Sequence, residues 1–228
     1  MVAVSEQSPV VYVAAWEMEG DPAPIVASAA QKAAARGPEP GFAGAMWLTR
    51  QPGFGPPQAG GEAADVPCTE RIVEWIQWSS APSLPLSALS VIATASPDAG
   101  VGGATCEHEG LYTVKGVVTA SGSGDLDITP GAGGITLMLM GSSDKSAWAC
   151  DFVMNEAREN IRFLPGFIGG AFLLGQDGSR LAELVRWESM SAFRNATTNE
   201  RFRQRIAEAG SLGVIDGASY RALTERVA

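Results

Sequence analysis

The chain has 228 residues, 46% of them hydrophobic and 18% charged, a balance that excludes disorder of the whole chain. With 16 Lys and Arg against 25 Asp and Glu, the formal charge is −9, which argues against nucleic acid as a partner. No apolar run reaches the ~18 residues that a membrane span needs. Met1–Glu6 lacks the basic and apolar regions of a secretory signal, and Cys68, Cys106 and Cys150 are odd in number and unclustered. A reduced, cytoplasmic protein with no membrane partner is therefore expected.

In chain order, Val10–Met18 is a β-type apolar run, and the Ala-rich Pro24–Arg36 predicts a helix with Asp21 as its candidate cap. Pro40-Gly41 ends that helix and opens a second strand at Phe42. Residues 51–69, dense in Pro and Gly, form a loop, because Pro and Gly abolish both helix and ladder. Glu70–Trp78 is a third strand and Leu111–Val118 a last one. Residues 119–134, with Gly122-Ser123-Gly124 and Pro130-Gly131, read as a flexible linker between a unit at 1–118 and another at 135–228. The second unit runs through strand Ile135–Met140, helix Asp144–Leu164, strands opening at Phe167 and ending at Trp187, helix Ser191–Ala209 and strand Ser219–Val227.

The two units repeat one another. Pro40-Gly41-Phe42 recurs as Pro165-Gly166-Phe167 at an offset of 125, and Val10–Trp16 faces Ile135–Gly141 at the same offset. Arg71, Glu74 and Trp78 recur as Arg180, Glu183 and Trp187 at an offset of 109, so the first unit carries an insertion, which the Pro/Gly loop supplies. Tyr112 and Tyr220 pair at an offset of 108. A tandem duplication explains the common order. The order β-α-β-β-α-β in each unit is the ferredoxin-like split βαβ, an α+β fold with an antiparallel sheet and helices on one face.

Chemistry concentrates in the repeated Glu and Trp. Side chains alternate along a strand, so Glu183, Val185 and Trp187 share one face, as do Glu74, Ile76 and Trp78. A carboxylate on a buried apolar face has a raised pKa, the condition for a general base near neutral pH. An indole beside it offers a flat platform and one N–H donor. Glu183 and Trp187 are thus the candidate catalytic pair, with the alternative that the glutamates are strand-surface charges and the tryptophans core. Trp16, Trp47 and Trp148 read as core. The one histidine, His108, sits in Cys106-Glu107-His108-Glu109, read as a surface loop, and makes no metal set. No Gly-rich phosphate cradle precedes a helix.

Leu164-Pro165-Gly166-Phe167-Ile168-Gly169, then Leu184-Val185-Arg186-Trp187-Glu188-Ser189 and Ala192-Phe193, resemble the antibiotic biosynthesis monooxygenase domain. The resemblance covers 135–228 well and reaches 10–118 through the repeat. It implies a dimeric-type α+β barrel made within one chain, a monomeric pseudo-dimer or weak homodimer. It further implies an oxygenase of antibiotic biosynthesis, similar to the tandem members that open rings of angucycline-type aromatic polyketides. O2 is then the co-substrate. A quinone substrate would bring in reduced flavin (FADH2 or FMNH2) and a flavin reductase as partner. Related haem-degrading enzymes use a helix histidine that this chain lacks, so neither haem nor metal is expected. Glu183 acts as base under this reading, Trp187 lines the pocket, and Glu74, Trp78 and Phe172 contact substrate. A later arginine is also used; Arg201, Arg203 and Arg205 all stand near its position, and Arg203 is carried as the substrate-binding candidate. The anthrone-oxidising members have Asn where Glu74 and Glu183 stand. A polyketide cyclase or isomerase of the same fold, or a non-catalytic binder of aromatic ligands, remains as the alternative.

Overall fold

The computed structural model describes residues 2–7, 9–37, 39–51, 70–82, 84–93, 104–122, 124–129, 134–140, 144–210 and 214–223. The elements in order are β1 Val2–Ser5, β2 Val10–Met18, α1 Ala23–Ala35, β3 Phe42–Arg50, β4 Glu70–Trp78, the short α2 Leu86–Leu89 and β5 Thr105–Thr119. Then follow β6 Asp125–Ile128, β7 Ile135–Met140, α3 Ser146–Glu159, a 3-10 turn Ile161–Phe163, β8 Phe167–Gly175, β9 Leu181–Trp187, α4 Met190–Ala196, α5 Glu200–Gly210 and β10 Val214–Ala222.

Eight strands close one antiparallel barrel in the order β10-β3-β4-β2-β5-β8-β9-β7, with β7 returning to β10. The first half contributes β5-β2-β4-β3 and the second β10-β7-β9-β8, the same ferredoxin-like order twice. The last strand of each half pairs with the second strand of the other, β5 with β8 and β10 with β3. The chain is therefore an α+β barrel of the dimeric type closed within one polypeptide.

Both faces of β2 are buried, which is why it reads as an unbroken apolar run rather than an alternation. Val11, Val13 and Ala15 point into the barrel with Trp75, Tyr112 and Tyr220. Val10, Tyr12, Ala14 and Trp16 point outward, under Ile25, Val26, Ala29 and Ala33 of α1. In the second half α3 covers the outer face with Ala149, Cys150 and Val153, and Ala196 and Phe202 of α4 and α5 cover the rest.

The ladders fix the correspondence between halves. Tyr112 lies between Val11 and Gly175, and Tyr220 between Ile135 and Arg50. Glu74 lies between Ala14 and Trp47, and Glu183 between Met138 and Phe172. Ala14 thus matches Met138 at an offset of 124, one less than the 125 expected from sequence. That single step matters, because it exchanges the inner and outer faces of the strand.

Several expectations change. Residues 119–134 are no plain tether: β6 pairs with β1, and Leu126 and Ile128 are buried in the barrel core with Val2 and Val4. The helix expected over 144–164 ends at Glu159 and gives way to the 3-10 turn. The helix expected over 191–209 breaks into α4 and α5. The hydroxyls of Thr197 and Thr198 bond back to the carbonyls of Arg194 and Asn195, at 2.7 and 2.6 Å. Asn199 then accepts the Phe202 N–H at 3.1 Å as an N-cap. The last strand, expected from Ser219, already begins at Val214 and runs to Ala222, and residues 224–227 of the expected strand lie outside the described residues. His108 is on β5, buried, with Nε2 2.6 Å from the Tyr112 hydroxyl, and not on a surface loop. Trp148, expected in the core, is 57% exposed and stacked on Phe152. The Pro/Gly loop 51–69 lies outside the described residues except for Gln51. Among the described residues no helix is long and apolar enough to cross a membrane.

The repeated Pro-Gly-Phe has a structural cause. Gly41 and Gly166 sit at φ 81° and 79°, in the left-handed region, and each turn delivers its Phe edge-on to a Trp. Phe42 meets Trp78 at 6.2 Å between centroids, and Phe167 meets Trp187 at 5.4 Å. A Cβ on Gly166 would also lie 2.4 Å from Ala192 Cβ, whereas one on Gly178, at φ 74°, would meet nothing within 4 Å. Gly178→Ala should therefore cost about 1 kcal/mol, from backbone strain alone. Gly166→Ala should cost about 2–4 kcal/mol, strain plus overpacking. Denaturant unfolding of the two variants measures this, and equal losses would contradict it.

Candidate active site

Glu183 stands on the outer face of β9, between Leu181 and Val185, where β9 is flanked by β7 and β8 and roofed by helices. Its cross-strand neighbours are Met138 and Phe172. Phe172 is fully buried, and its ring lies across Gly170, where a Cβ would stand 3.1 Å from Cζ; glycine is the residue that lets the ring lie down. Cys150 of α3 packs into the same cluster. Burial, then the charges of Asp151 and Glu183, push its thiol up to about 12, so the thiol stays protonated within electrostatic reach of Glu183.

Glu183 is partly exposed by surface area, with protein packed densely around its carboxyl. Loss of hydration alone pushes its carboxyl from 4.5 up to about 7. Among the described residues it has neither a hydrogen-bond partner nor an ion pair. A carboxyl poised in this way can both accept and return a proton near neutrality.

Trp187 is not the wall beside it. Four residues along a strand separate the two by roughly 13 Å, with buried Val185 between them. Trp187 is 1% exposed and packs among Phe167, Phe193 and Phe202, at centroid distances of 5.4, 5.7 and 5.8 Å. Phe172 holds the place beside Glu183 that was expected of the indole.

Glu74 and Trp78 occupy the matching positions of the first half, in a separate cluster with Trp47, Tyr12 and α1. The structure does not bring them to Glu183. Glu74 is fully buried and fully engaged: Oε2 accepts from Ser90 Oγ at 2.5 Å, and Oε1 from the backbone N–H of Val91 at 2.9 Å and of Ile92 at 3.2 Å. Burial holds its carboxyl above the ordinary carboxylate range, and these bonds offset only part of that rise. The Trp47 indole across the ladder adds to that offset without reaching full hydrogen-bond geometry.

Arg203 is also apart from Glu183. Its side chain is 65% exposed and pairs with Glu200 on its own helix. Arg201 and Arg205 turn to Glu156 of α3, at 3.6 and 3.3 Å. The arginine expected in the site is thus spent on helix surfaces. A cleft of about 210 Å³ between α3 and α5 is lined by Glu156, Asn160, Phe163 and Arg201, and one of about 500 Å³ by Pro165, Glu188, Ser189 and Asn195. Glu183 lines neither.

Sequence reasoning missed Met138 and Cys150 as neighbours of Glu183, and Ser90-Val91-Ile92 as partners of Glu74. The last had a signal, an apolar run stranded between two Pro/Gly-rich stretches.

No protein-family profile matches this sequence, and no curated protein matches it significantly. Solved structures do. An anthrone oxidase-like protein superposes with a TM-score of 0.59 at 13% identity, covering 99% of this chain and 96% of that one. A candidate monooxygenase from Fusobacterium nucleatum gives 0.58 at 10%, covering 95% and 93%. A monooxygenase-like protein from Listeria innocua gives 0.50 at 8%, covering 95% of each chain. At such identities the likeness concerns the fold, and it extends over the whole of the chain: two ferredoxin-like halves closed into one α+β barrel.

Proposed function

We propose that this protein is an oxygenase that uses O2 to oxidise an electron-rich phenol or hydroquinone of a polycyclic aromatic polyketide in antibiotic biosynthesis. The observation that carries the reading is Glu183, a carboxyl without a partner among the described residues, poised near neutrality on an apolar sheet face between Phe172 and Met138. The fold likeness to an anthrone oxidase-like protein supports it.

Glu183 takes the phenolic proton, and the resulting anion is electron-rich enough to reduce dioxygen directly. The apolar sheet face around Glu183 keeps bulk water from the anion. In oxidation of a ring CH2 to a carbonyl, one oxygen atom enters the ring and the other leaves as water, so no external reductant is consumed. A quinone substrate would need two further electrons from reduced flavin.

Oxygen uptake with a panel of anthrone and angucycline substrates, with and without reduced flavin, tests the proposal. Uptake with at least one substrate is expected, and turnover without uptake would assign an isomerase or cyclase instead. Glu183→Gln should lower kcat by ~10² to 10⁴ while ligand affinity stays close to that of the native protein. A harmless Glu183→Gln would return this residue to the surface of the strand.

Because the base must be ionised, kcat/KM should rise with pH and level off above about 7, and Glu183→Gln should abolish that limb. Stability should move the other way. A folded carboxyl with a raised pKa holds a proton that the unfolded one has released, so stability is lost as pH rises from about 4.5 to about 7. The denaturant midpoint of the native protein should therefore fall relative to that of Glu183→Gln across this window, a difference in which the opposing contribution of the buried, neutral His108 cancels.

A further inference from the structure

We propose that residues 88–92 are an internal strap occupying the first half's copy of the site, and that releasing it opens a second binding site for flat, hydroxylated aromatic ketones. The inference borrows from the proposed function only the idea that this face of the sheet receives an aromatic ligand.

The strap lies where a ligand would lie. Glu74 holds the ladder position that Glu183 holds in the second half, on the same outer face. In the second half two helices, α4 and α5, follow the strand bearing the glutamate. Among the described residues of the corresponding connection in the first half there is only the one-turn α2, after which 89–93 run along the sheet face. Leu89, Val91 and Ile92 are at most 3% exposed and pack in one cluster with Trp47, Trp78 and Tyr12.

Side chains clamp this strap from both sides. Arg36, at the C-terminal end of α1, donates to the carbonyls of Ala88 and Leu89 at 2.6 and 2.5 Å. Glu74 takes the Ser90 hydroxyl and the N–H groups of Val91 and Ile92. Ser90 Oγ in turn accepts the N–H of Ala93 at 3.0 Å, which keeps the hydroxyl aimed at Glu74. Five successive residues are therefore held by one guanidinium and one carboxyl. A segment fixed through two side chains can leave as a unit when either contact is lost.

What replaced it would have to satisfy what it satisfies. Glu74 receives three donors, so an occupant must bring hydroxyl groups. Trp47 and Trp78 offer aromatic faces, and the Trp47 indole N–H, which no group among the described residues meets in hydrogen-bond geometry, offers a donor to a carbonyl. Hydroxyl groups, a flat ring and a ketone oxygen together describe a hydroxyquinone or a hydroxylated aryl ketone.

Equilibrium dialysis of the full chain against 1,2-dihydroxyanthraquinone tests this, comparing the native protein with Ser90→Ala and Arg36→Gln. The loosened variants should bind one more molecule per chain than the native protein. Exchange of the Val91 and Ile92 amides should quicken at least tenfold, with the Val13 amide in the barrel unchanged. Should a variant fail to fold, saturating the native protein with the same probe should by itself speed exchange at Val91 and Ile92. No gain in stoichiometry in a folded variant overturns the proposal; where neither variant folds, no change in exchange in the native protein at saturating probe overturns it. The Glu183 reading is judged separately: no binding to the native protein but one molecule on the variant would defeat that reading and uphold the strap.

Discussion

Closing eight strands into one barrel under a layer of helices leaves most of the sheet with no face in water, and the rest of the structure follows from that constraint. A carboxyl on such a strand loses its hydration and must find donors, stay protonated or be used. The two halves place a glutamate at the same ladder position and meet the constraint in different ways. Glu74 is supplied with three donors by its own chain, whereas Glu183 is supplied with none among the described residues. A near-repeat of sequence thus yields one structural carboxyl and one chemically poised carboxyl. The difference lies in what covers each sheet, not in the sheets themselves.

The same constraint governs the polar groups inside the barrel. His108 and Tyr112 face one another at 2.6 Å; burial first, then the nearby charges of Arg180 and Arg71, hold the imidazole down to about 4. The histidine is therefore neutral at physiological pH and pairs with a phenol that burial keeps protonated. This inward-facing pair is satisfied within itself, which fits a packing role and leaves the outer face of the sheets for ligand chemistry.

Much of this was legible in the sequence. The Pro-Gly-Phe turns, the repeated Glu and Trp and the paired tyrosines all carry a local physical requirement: a positive φ, a cross-strand neighbour, a core aromatic. They gave the strand order and the α+β class. The one-residue offset between β2 and β7 was not legible, because apolar runs buried on both faces show no alternation to fix a register. Trp187 shares a face with Glu183 without touching it, because four residues of strand span roughly 13 Å, and alternation alone carries no such distance. Arg203 faces solvent because α5 turns Phe202 and Ile206 toward Trp187 instead. The β1–β6 pair was hidden for another reason: two four-residue strands far apart in the sequence carry too little pattern to see.

The central claim is that Glu183, which has no donors among the described residues, is the carboxyl that exchanges its proton near neutrality, whereas Glu74, alike in ladder position, is held by three donors. Difference infrared spectroscopy of the carboxylic C=O stretch, followed through a pH titration of the native protein, Glu183→Gln and Glu74→Gln, tests it most directly. The account predicts a protonated-carboxyl band that bleaches with a midpoint near pH 7, that is absent in Glu183→Gln and that persists in Glu74→Gln. A midpoint near 4.5, or a neutral-range band that disappears with Glu74 rather than with Glu183, would contradict it.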